Sequence, residues 1–118
     1  MALVTTKSEG LLTTTAQSTI YAAPESPATR ARLMKLTVTN LDTANAQAVS
    51  AWLVPSGGSA GNANRLLVAV AVDRADGQGL PLEVSAAQGH VLDPGDAIVL
   101  QAANANQLCW HLTVMQET

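Results

Sequence analysis

The chain has 118 residues, a mass of 12.2 kDa and a formal net charge of −3 at pH 7, which fits a single domain. Its Lys and Arg residues are scattered and form no phosphate-tracking stripe, which argues against nucleic-acid binding. No apolar run is long enough to span a membrane, and Cys109, the single cysteine, excludes an internal disulfide.

The composition predicts a protein that packs against other subunits. Hydrophobic residues make up 47% of the chain, while charged residues make up only 13%, against about a quarter in an average protein. Such a weakly charged surface favours association with neighbouring protein over a free monomer. The N-terminus lacks the pattern of a secretory signal, and because a single cysteine allows no internal disulfide, we expect folding in a reducing cytosol.

Apolar residues recur at every second position, which is the period of a β-strand. Residues 1–10 are predicted to be an N-terminal arm that orders on docking, and residues 11–118 a single β-sandwich domain. The candidate strands are, in chain order, GLLTTT, STIYAA, RLMKLTVTN, AVSAWLVP, RLLVAVAV, PLEVSA, DAIVLQAA and LCWHLTVM. Thr, Val and Ile enrichment suits all of them.

The strand patterns also predict which residues face the core. In RLMKLTVTN, one face is expected to carry Met34, Leu36 and Val38. In LCWHLTVM, the corresponding face carries Leu108, Trp110, Leu112 and Val114. AVSAWLVP and RLLVAVAV are apolar on both faces, which predicts strands in the middle of a sheet or against a neighbouring subunit.

Turn signals separate the candidate strands. The pair Asp76-Gly77 is typical of a hairpin, and LDPGDAI predicts a type II turn with Pro94 and Gly95 at its two central positions. Seven or eight short strands at this spacing predict an all-β fold, an antiparallel β-sandwich with a jelly-roll-like arrangement.

The glycine-rich segment VPSGGSAGNANR, residues 54–65, is predicted to connect two strands. A phosphate-binding loop needs a following helix, whose N-terminus presents N–H groups, and it usually ends in Gly-Lys-Ser or Gly-Lys-Thr. Here a β-like run follows and the segment contains no lysine. We therefore interpret it as a loop and not as a nucleotide site.

No combination of residues indicates catalysis, a bound cofactor or a metal. Cys109 and His111 share one face of a strand, but a structural zinc site requires four grouped ligands. Asp73, Asp76 and Gly77 resemble half of a calcium loop without its remaining acidic ligands. No G-x-S-x-G nucleophile elbow occurs. The sequence thus predicts a non-enzymatic protein with no catalytic, cofactor-binding or metal-binding residues.

Three stretches carry a resemblance to a known family: LTTTAQSTIYAAP, ARLMKLTVTNLDTANAQAVSAWLVPSGGSAGNANRLL and HVLDPGDAIVLQAANANQLCWHLTV. Together they span about residues 11 to 115, and they resemble the small all-β structural proteins of tailed bacteriophages and prophages. The stretch PESPATRAR departs from that pattern, since relatives more often have a Pro-Ala-Gly turn there. The resemblance implies a virion component and brings no catalytic residues.

The expected function is a capsid decoration or cement protein of the virion, assembled in the host cytoplasm. Its expected partners are the major capsid protein or other virion proteins and further copies of itself, most simply as a trimer. Nucleic acid and membrane are not expected partners. The candidate contact residues are Leu3, Val4, Leu33, Trp52, Leu53, Leu67 and Val68.

Two alternatives remain open at this point. The same fold could serve as a tail-tip, baseplate or fibre-associated component. It could also be a carbohydrate-binding adsorption module that stacks sugars on Trp52, Trp110 or Tyr21, although these rings more simply fill a core or an interface.

Overall fold

The computed structural model describes residues 3–74 and 81–118, which form two antiparallel sheets packed face to face. The strands are β1 (Leu3–Leu11), β2 (Ser18–Ala22), β3 (Arg30–Asn40), β4 (Gln47–Val54), β5 (Arg65–Val72), β6 (Leu82–Glu83), β7 (Val91–Leu92), β8 (Ala97–Ala102) and β9 (Leu108–Glu117). Within the described residues the one helical element is a short 3₁₀ turn, Asn62–Asn64.

Sheet A has the order β1-β9-β3-β6, with β7 also pairing with β3, and sheet B has the order β2-β8-β4-β5. The pairs β4–β5, β3–β6, β2–β8 and β1–β9 are nested one within the next along the chain, as in a jelly roll. The predicted antiparallel sandwich is confirmed. The described residues form nine strands instead of seven or eight, because β6 and β7 are separate two-residue strands on β3.

The core lies between the sheets and is built from alternating strand residues. On β9 the predicted inward residues Leu108, Trp110, Leu112 and Val114 are buried, which confirms that strand's pattern. They meet inward residues of sheet B, among them Val49, Ala51, Ile98 and Leu100. Aliphatic side chains thus fill most of the core, as the scarcity of aromatic residues requires.

The prediction for β3 is partly wrong. Leu36 and Val38 are buried, but Met34 is exposed and Leu33 is buried in its place. The cause is a register shift between Leu33 and Lys35 opposite β9, where an extra residue reverses the alternation. The strand therefore buries odd-numbered residues before the bulge and even-numbered residues after it.

The two doubly apolar strands differ in position. β4 is central in sheet B, one of the two predicted positions, whereas β5 lies at the sheet edge, so for β5 only the other predicted position, against a neighbouring subunit, stays a prediction. Two register shifts interrupt its pairing with β4, and Ala69 has a positive φ of 46°. These irregularities turn Val68 outward, where it is 67% exposed.

Residues 3–11, which include most of the predicted arm at residues 1–10, form β1 at the edge of sheet A and pair continuously with β9. Gly10 lies beside Trp110, and a Cβ at that glycine would approach the indole to 2.9 Å. The glycine lets the edge strand close over the ring. Residues 3–10 are thus already part of sheet A within a single copy of the chain.

The LDPGDAI turn has the predicted geometry. Asp96 N donates to Asp93 O over 2.9 Å, and Gly95 has the positive φ, 89°, that a type II turn requires at its third position. The Asp76-Gly77 hairpin prediction, and with it most of the candidate calcium loop, lies outside the described residues.

Candidate interaction surfaces

The glycine-rich segment connects β4 to β5, as predicted, and also folds back over the outer face of sheet B. Its Ala60 packs against a small cluster formed by Trp52, Val54 and Val99. The outward position of Trp52 follows from its pairing with Val99 on β8, whose neighbours Ile98 and Leu100 point into the core. The loop therefore covers apolar side chains on the side of the sheet opposite the main core.

Internal hydrogen bonds hold this loop in place. Gly58 N donates to Pro55 O over 2.9 Å, and Gly61 N donates to the Asn64 side-chain oxygen over 3.0 Å. Ser56 N donates to Asp96 Oδ1 over 2.8 Å, which fastens the loop to the turn before β8. These amides already have acceptors, and no helix long enough to present an N-terminus follows, so the loop has the features of a structural cover.

Trp52 and Trp110 offer no stacking surface for a sugar. Trp52 is only 2% exposed, and the Arg65 guanidinium lies over its ring at 4.8 Å from the centroid. Trp110 is buried in the main core beside Gly10. Tyr21 is half-buried, and its hydroxyl accepts a hydrogen bond from Gln116. This arrangement fits the simpler interpretation that the three rings are packing groups of a core or an interface.

The polar groups singled out as possible ligands have structural partners. His111 Nε2 lies 3.4 Å from Glu9 Oε2 on the adjacent strand, and Cys109 is half-buried on the same face. Asp96 accepts from Ser56 N and Asp93 N, so it fixes two turns. Across residues 3–74 and 81–118, no three His, Cys, Asp or Glu side chains are grouped so that they could hold a metal ion.

Asp42 organises the connection between β3 and β4. Its carboxylate accepts from Ala44 N and from Gln47 Nε2, each over 2.8 Å. The hydrogen bond from Ala44 N, followed by that from Gln47, lowers the pKa of Asp42 below its ordinary value of 3.8. Both bonds stabilise the ionised form, and the group acts in the loop and not in chemistry.

The outer face of sheet B is almost free of charge. Among its strand residues only Arg65 carries a charge, and that side chain is stacked on Trp52. A shallow depression of about 250 Å³ lies on this face beside Ala69 and is lined by small and neutral residues. The outward strand residues are Thr19, Ala22, Ala48, Ser50, Trp52, Val54, Arg65, Ala71, Ala97, Val99 and Gln101.

The outer face of sheet A is charged by comparison. Its outward residues follow from the pairings of β9, whose alternate residues are buried. The charged members are Lys7, Glu9, Arg30, Arg32, Lys35, Glu83 and Glu117. A groove of about 310 Å³ lies at one end, where Leu3, Val91 and Met115 are mixed with three of these charged side chains.

The seven candidate contact residues do not form one surface. Leu3 (62% exposed), Val4 (54% exposed) and Val68 are accessible to a partner. Leu53 and Leu67 are half-buried and pack against the main core. The predictions for Leu33 and Trp52 are wrong, because both side chains are buried within the protomer, Leu33 between the sheets and Trp52 under the loop.

Several accessible apolar residues escaped the sequence analysis. They are Leu11, Met34, Leu41 and Val91. The alternating pattern assigned Met34 to the core, and only the bulge reverses it. Leu41 directly follows a strand, a position at which the strand period no longer predicts burial.

The structure contains no helix, among the residues it describes, that is long and apolar enough to cross a membrane. No family model matches the sequence, and no curated protein matches it. The fold is similar to that of a solved chain from Bacillus endospore appendages, which are described as a novel family of disulfide-linked pili. The two chains share 13% identity with a TM-score of 0.52, over 99% of this chain and 87% of the other. At 13% identity this similarity shows a shared sandwich fold and nothing further.

Proposed function

We propose that this chain is a non-enzymatic structural subunit of an assembly, acting as a capsid decoration or cement protein in the virion of a tailed bacteriophage. The observation that carries the proposal is the outer face of sheet B. Its strand residues are small or neutral, and its one cation, Arg65, is stacked on Trp52. A surface of this kind loses little hydration free energy when another protein covers it.

The cement role follows from what such a face can do. A sandwich whose outer sheet face carries a single charged strand residue, Arg65, can cover a joint between shell subunits while burying little charge, because that guanidinium already rests on the Trp52 ring. The depression lined by Ala48, Ser50 and Ala69 supplies a contact site of small, uncharged side chains on this face. The partners are the major capsid protein and further copies of the chain, in a trimer, and neither nucleic acid nor membrane takes part.

A second candidate function places the subunit in a fibre, tail tip or baseplate. The observation that favours it is the similarity in fold to a chain of Bacillus endospore appendages, which are described as disulfide-linked pili. A cement protein is expected on the head shell, whereas a fibre subunit is expected in a filament or at the tail. The carbohydrate-binding alternative has no comparable support, because neither tryptophan presents a free ring face.

Electron microscopy and mass spectrometry of purified virions test the proposal. We expect the chain on the outer surface of the head, in repeated copies. Its presence only at the tail would support the fibre alternative. A monomer that never binds shells would overturn the cement role, and absence of the chain from the whole particle would overturn both structural roles. Ala48→Glu should prevent binding, whereas Thr39→Glu, on the charged outer face of sheet A, should leave it unchanged.

A further inference from the structure

The four sheet edges differ in how well they are protected from pairing with another chain. β6 and β7 are two residues long, and the pairing of β2 shifts between Thr19 and Tyr21. β5 has two register shifts and the positive φ of Ala69. Short strands and bulges of this kind prevent edge-to-edge association. Three of the edges therefore carry a protective irregularity.

β1 carries none of these irregularities. Its nine residues pair with β9 in an unbroken register from Leu3 to Leu11, and the strand contains no proline. Thr and Val side chains favour the extended conformation, and the ends of the strand expose Leu3 and Leu11. Its only sign of protection is charge, from Lys7 and Glu9.

The hydrogen bonds at the end of β1 show which backbone groups face outward. Leu12 N donates to Leu108 O over 2.8 Å, continuing the register of the strand. Because backbone groups alternate in direction, those of Gly10, Ser8 and Thr6 also face β9. The N–H and C=O groups of Thr5, Lys7, Glu9 and Leu11 therefore point away from the sheet, toward any chain that approaches its edge.

We propose that two copies of this chain pair through their β1 strands, antiparallel, about a two-fold axis at Ser8. This register places Lys7 opposite Glu9 of the second copy and Thr5 opposite Leu11, each twice by symmetry. Four such pairs of outward-facing residues form about eight backbone hydrogen bonds between the copies. The contact joins the two copies of sheet A into one continuous sheet.

Charge selects this register over its neighbours. A two-fold axis at Lys7 would set that lysine opposite its own copy, and an axis at Glu9 would do the same for the two carboxylates. With the axis at Ser8, both ion pairs are complementary. An axis displaced by half a residue would pair an outward-facing residue with one whose backbone groups already face β9, so it is excluded by the alternation.

The β1 contact depends on the proposed structural role in one respect only: copies of the chain must come together in an assembly. It uses an edge of sheet A and leaves the outer face of sheet B free. A decoration protein could thus bind a shell through sheet B and link neighbouring copies through β1.

Cysteine cross-linking tests the axis directly. In a Cys109→Ser background, Ser8→Cys places two thiols on the axis, where a non-hydrogen-bonded pair has a Cα separation of about 4.5 Å, within disulfide range. The matched variant Thr6→Cys sets the two thiols four positions apart, about 13 Å. We expect mild oxidation to give a covalent dimer with Ser8→Cys and at least tenfold less with Thr6→Cys. Equal cross-linking at both positions, or none at Ser8→Cys, would overturn the proposal.

A charge swap provides an independent test in solution. Lys7→Glu alone or Glu9→Lys alone places like charges opposite each other twice, and we expect each to lower the association constant at least tenfold by analytical ultracentrifugation. The double variant should restore it. Lys35→Glu makes the same change in net charge away from the edge and should have no effect. If single and double variants associate equally, the β1 contact is refuted, while binding of the chain to virions would still test the proposed function separately.

Discussion

The outer faces of the two sheets differ, although both flank the same core. The face of sheet A carries seven charged side chains from β1, β3, β6 and β9. The face of sheet B carries small and neutral residues, and its single cation lies on a tryptophan ring. Since charged side chains keep a surface hydrated and their absence favours association, we propose that water covers the face of sheet A and another protein the face of sheet B.

The faces also differ in how much protein covers them within the protomer. The loop at residues 55–64 crosses one end of the outer face of sheet B and buries Trp52 and Val99, while the depression at the other end stays open. On sheet A, partners across the face are exposed ion pairs such as Lys35–Glu83. The outer face of sheet B therefore carries a second, smaller apolar cluster that the loop covers at one end only. The following substitutions test this difference between the two faces.

The largest effect is expected for Trp52→Ala. Removing the ring deletes the centre of the outer cluster and the surface on which Arg65 rests, at a cost of about 3–5 kcal/mol in the free energy of unfolding. The matched change on the other face, His111→Ala, removes an exposed ring and should cost less than about 1 kcal/mol. Urea unfolding of both variants measures the difference, and equal losses would contradict the layered arrangement.

Gly10→Ala is expected to come next, at about 1–3 kcal/mol, because the new methyl group would meet the Trp110 ring at 2.9 Å. Gly61→Ala is its control, since a Cβ there meets nothing within 4 Å. We expect the control to unfold within about 0.5 kcal/mol of the parent. Similar midpoints for the two variants would show that β1 does not close tightly over the indole.

Asp96→Ala should cost about 1 kcal/mol, because Ser56 N and Asp93 N exchange exposed hydrogen bonds to a carboxylate for hydrogen bonds to water, and one end of the loop that covers sheet B is released. Asp93→Ala removes only an ion pair with Arg30 whose side chains are 67% and 63% exposed, so we expect less than about 1 kcal/mol. Faster amide exchange in residues 55–64 of the Asp96→Ala protein would locate the effect. Unchanged exchange there would argue against the tether.

The smallest effect concerns pH. The lowered pKa of Asp42 means that its ionised form is favoured in the folded state, so its contribution is complete above the ordinary value of 3.8 and is lost as pH falls through the folded pKa. Asp42→Asn should therefore make the free energy of unfolding less dependent on pH in that acid range. Urea unfolding at a series of pH values measures this dependence. The same pH dependence of the free energy of unfolding in parent and variant would contradict the role given to the Asp42 carboxylate.

Much of the fold could be predicted from the sequence because the signals are local. The alternation on β9 and the Pro94-Gly95 turn require only near neighbours, and both are confirmed. The failure at Met34 has a different origin. A bulge is set by pairing with β9, a strand far along the chain, and one inserted residue reverses which side chains are buried.

The surfaces were harder to predict than the core for the same reason. In the sequence, Trp52 is one apolar residue on a strand that is apolar on both faces. Only the path of the glycine-rich loop determines that its side chain is covered. The edge position of β5 depends on the order of strands within sheet B, which no local pattern encodes. Residue type thus predicted that spare apolar surface exists, while the topology decided where it lies.

The most direct test of the difference between the faces is a pair of matched charge insertions measured by light scattering and by binding to shells. Ala48→Glu introduces a carboxylate into the depression on sheet B, and Thr39→Glu introduces one on the outer face of sheet A. If the face of sheet B is the one that protein covers, Ala48→Glu abolishes shell binding and Thr39→Glu, equally well folded by circular dichroism, retains it. Retention by Ala48→Glu together with loss by Thr39→Glu would show that the charged face is the one that binds.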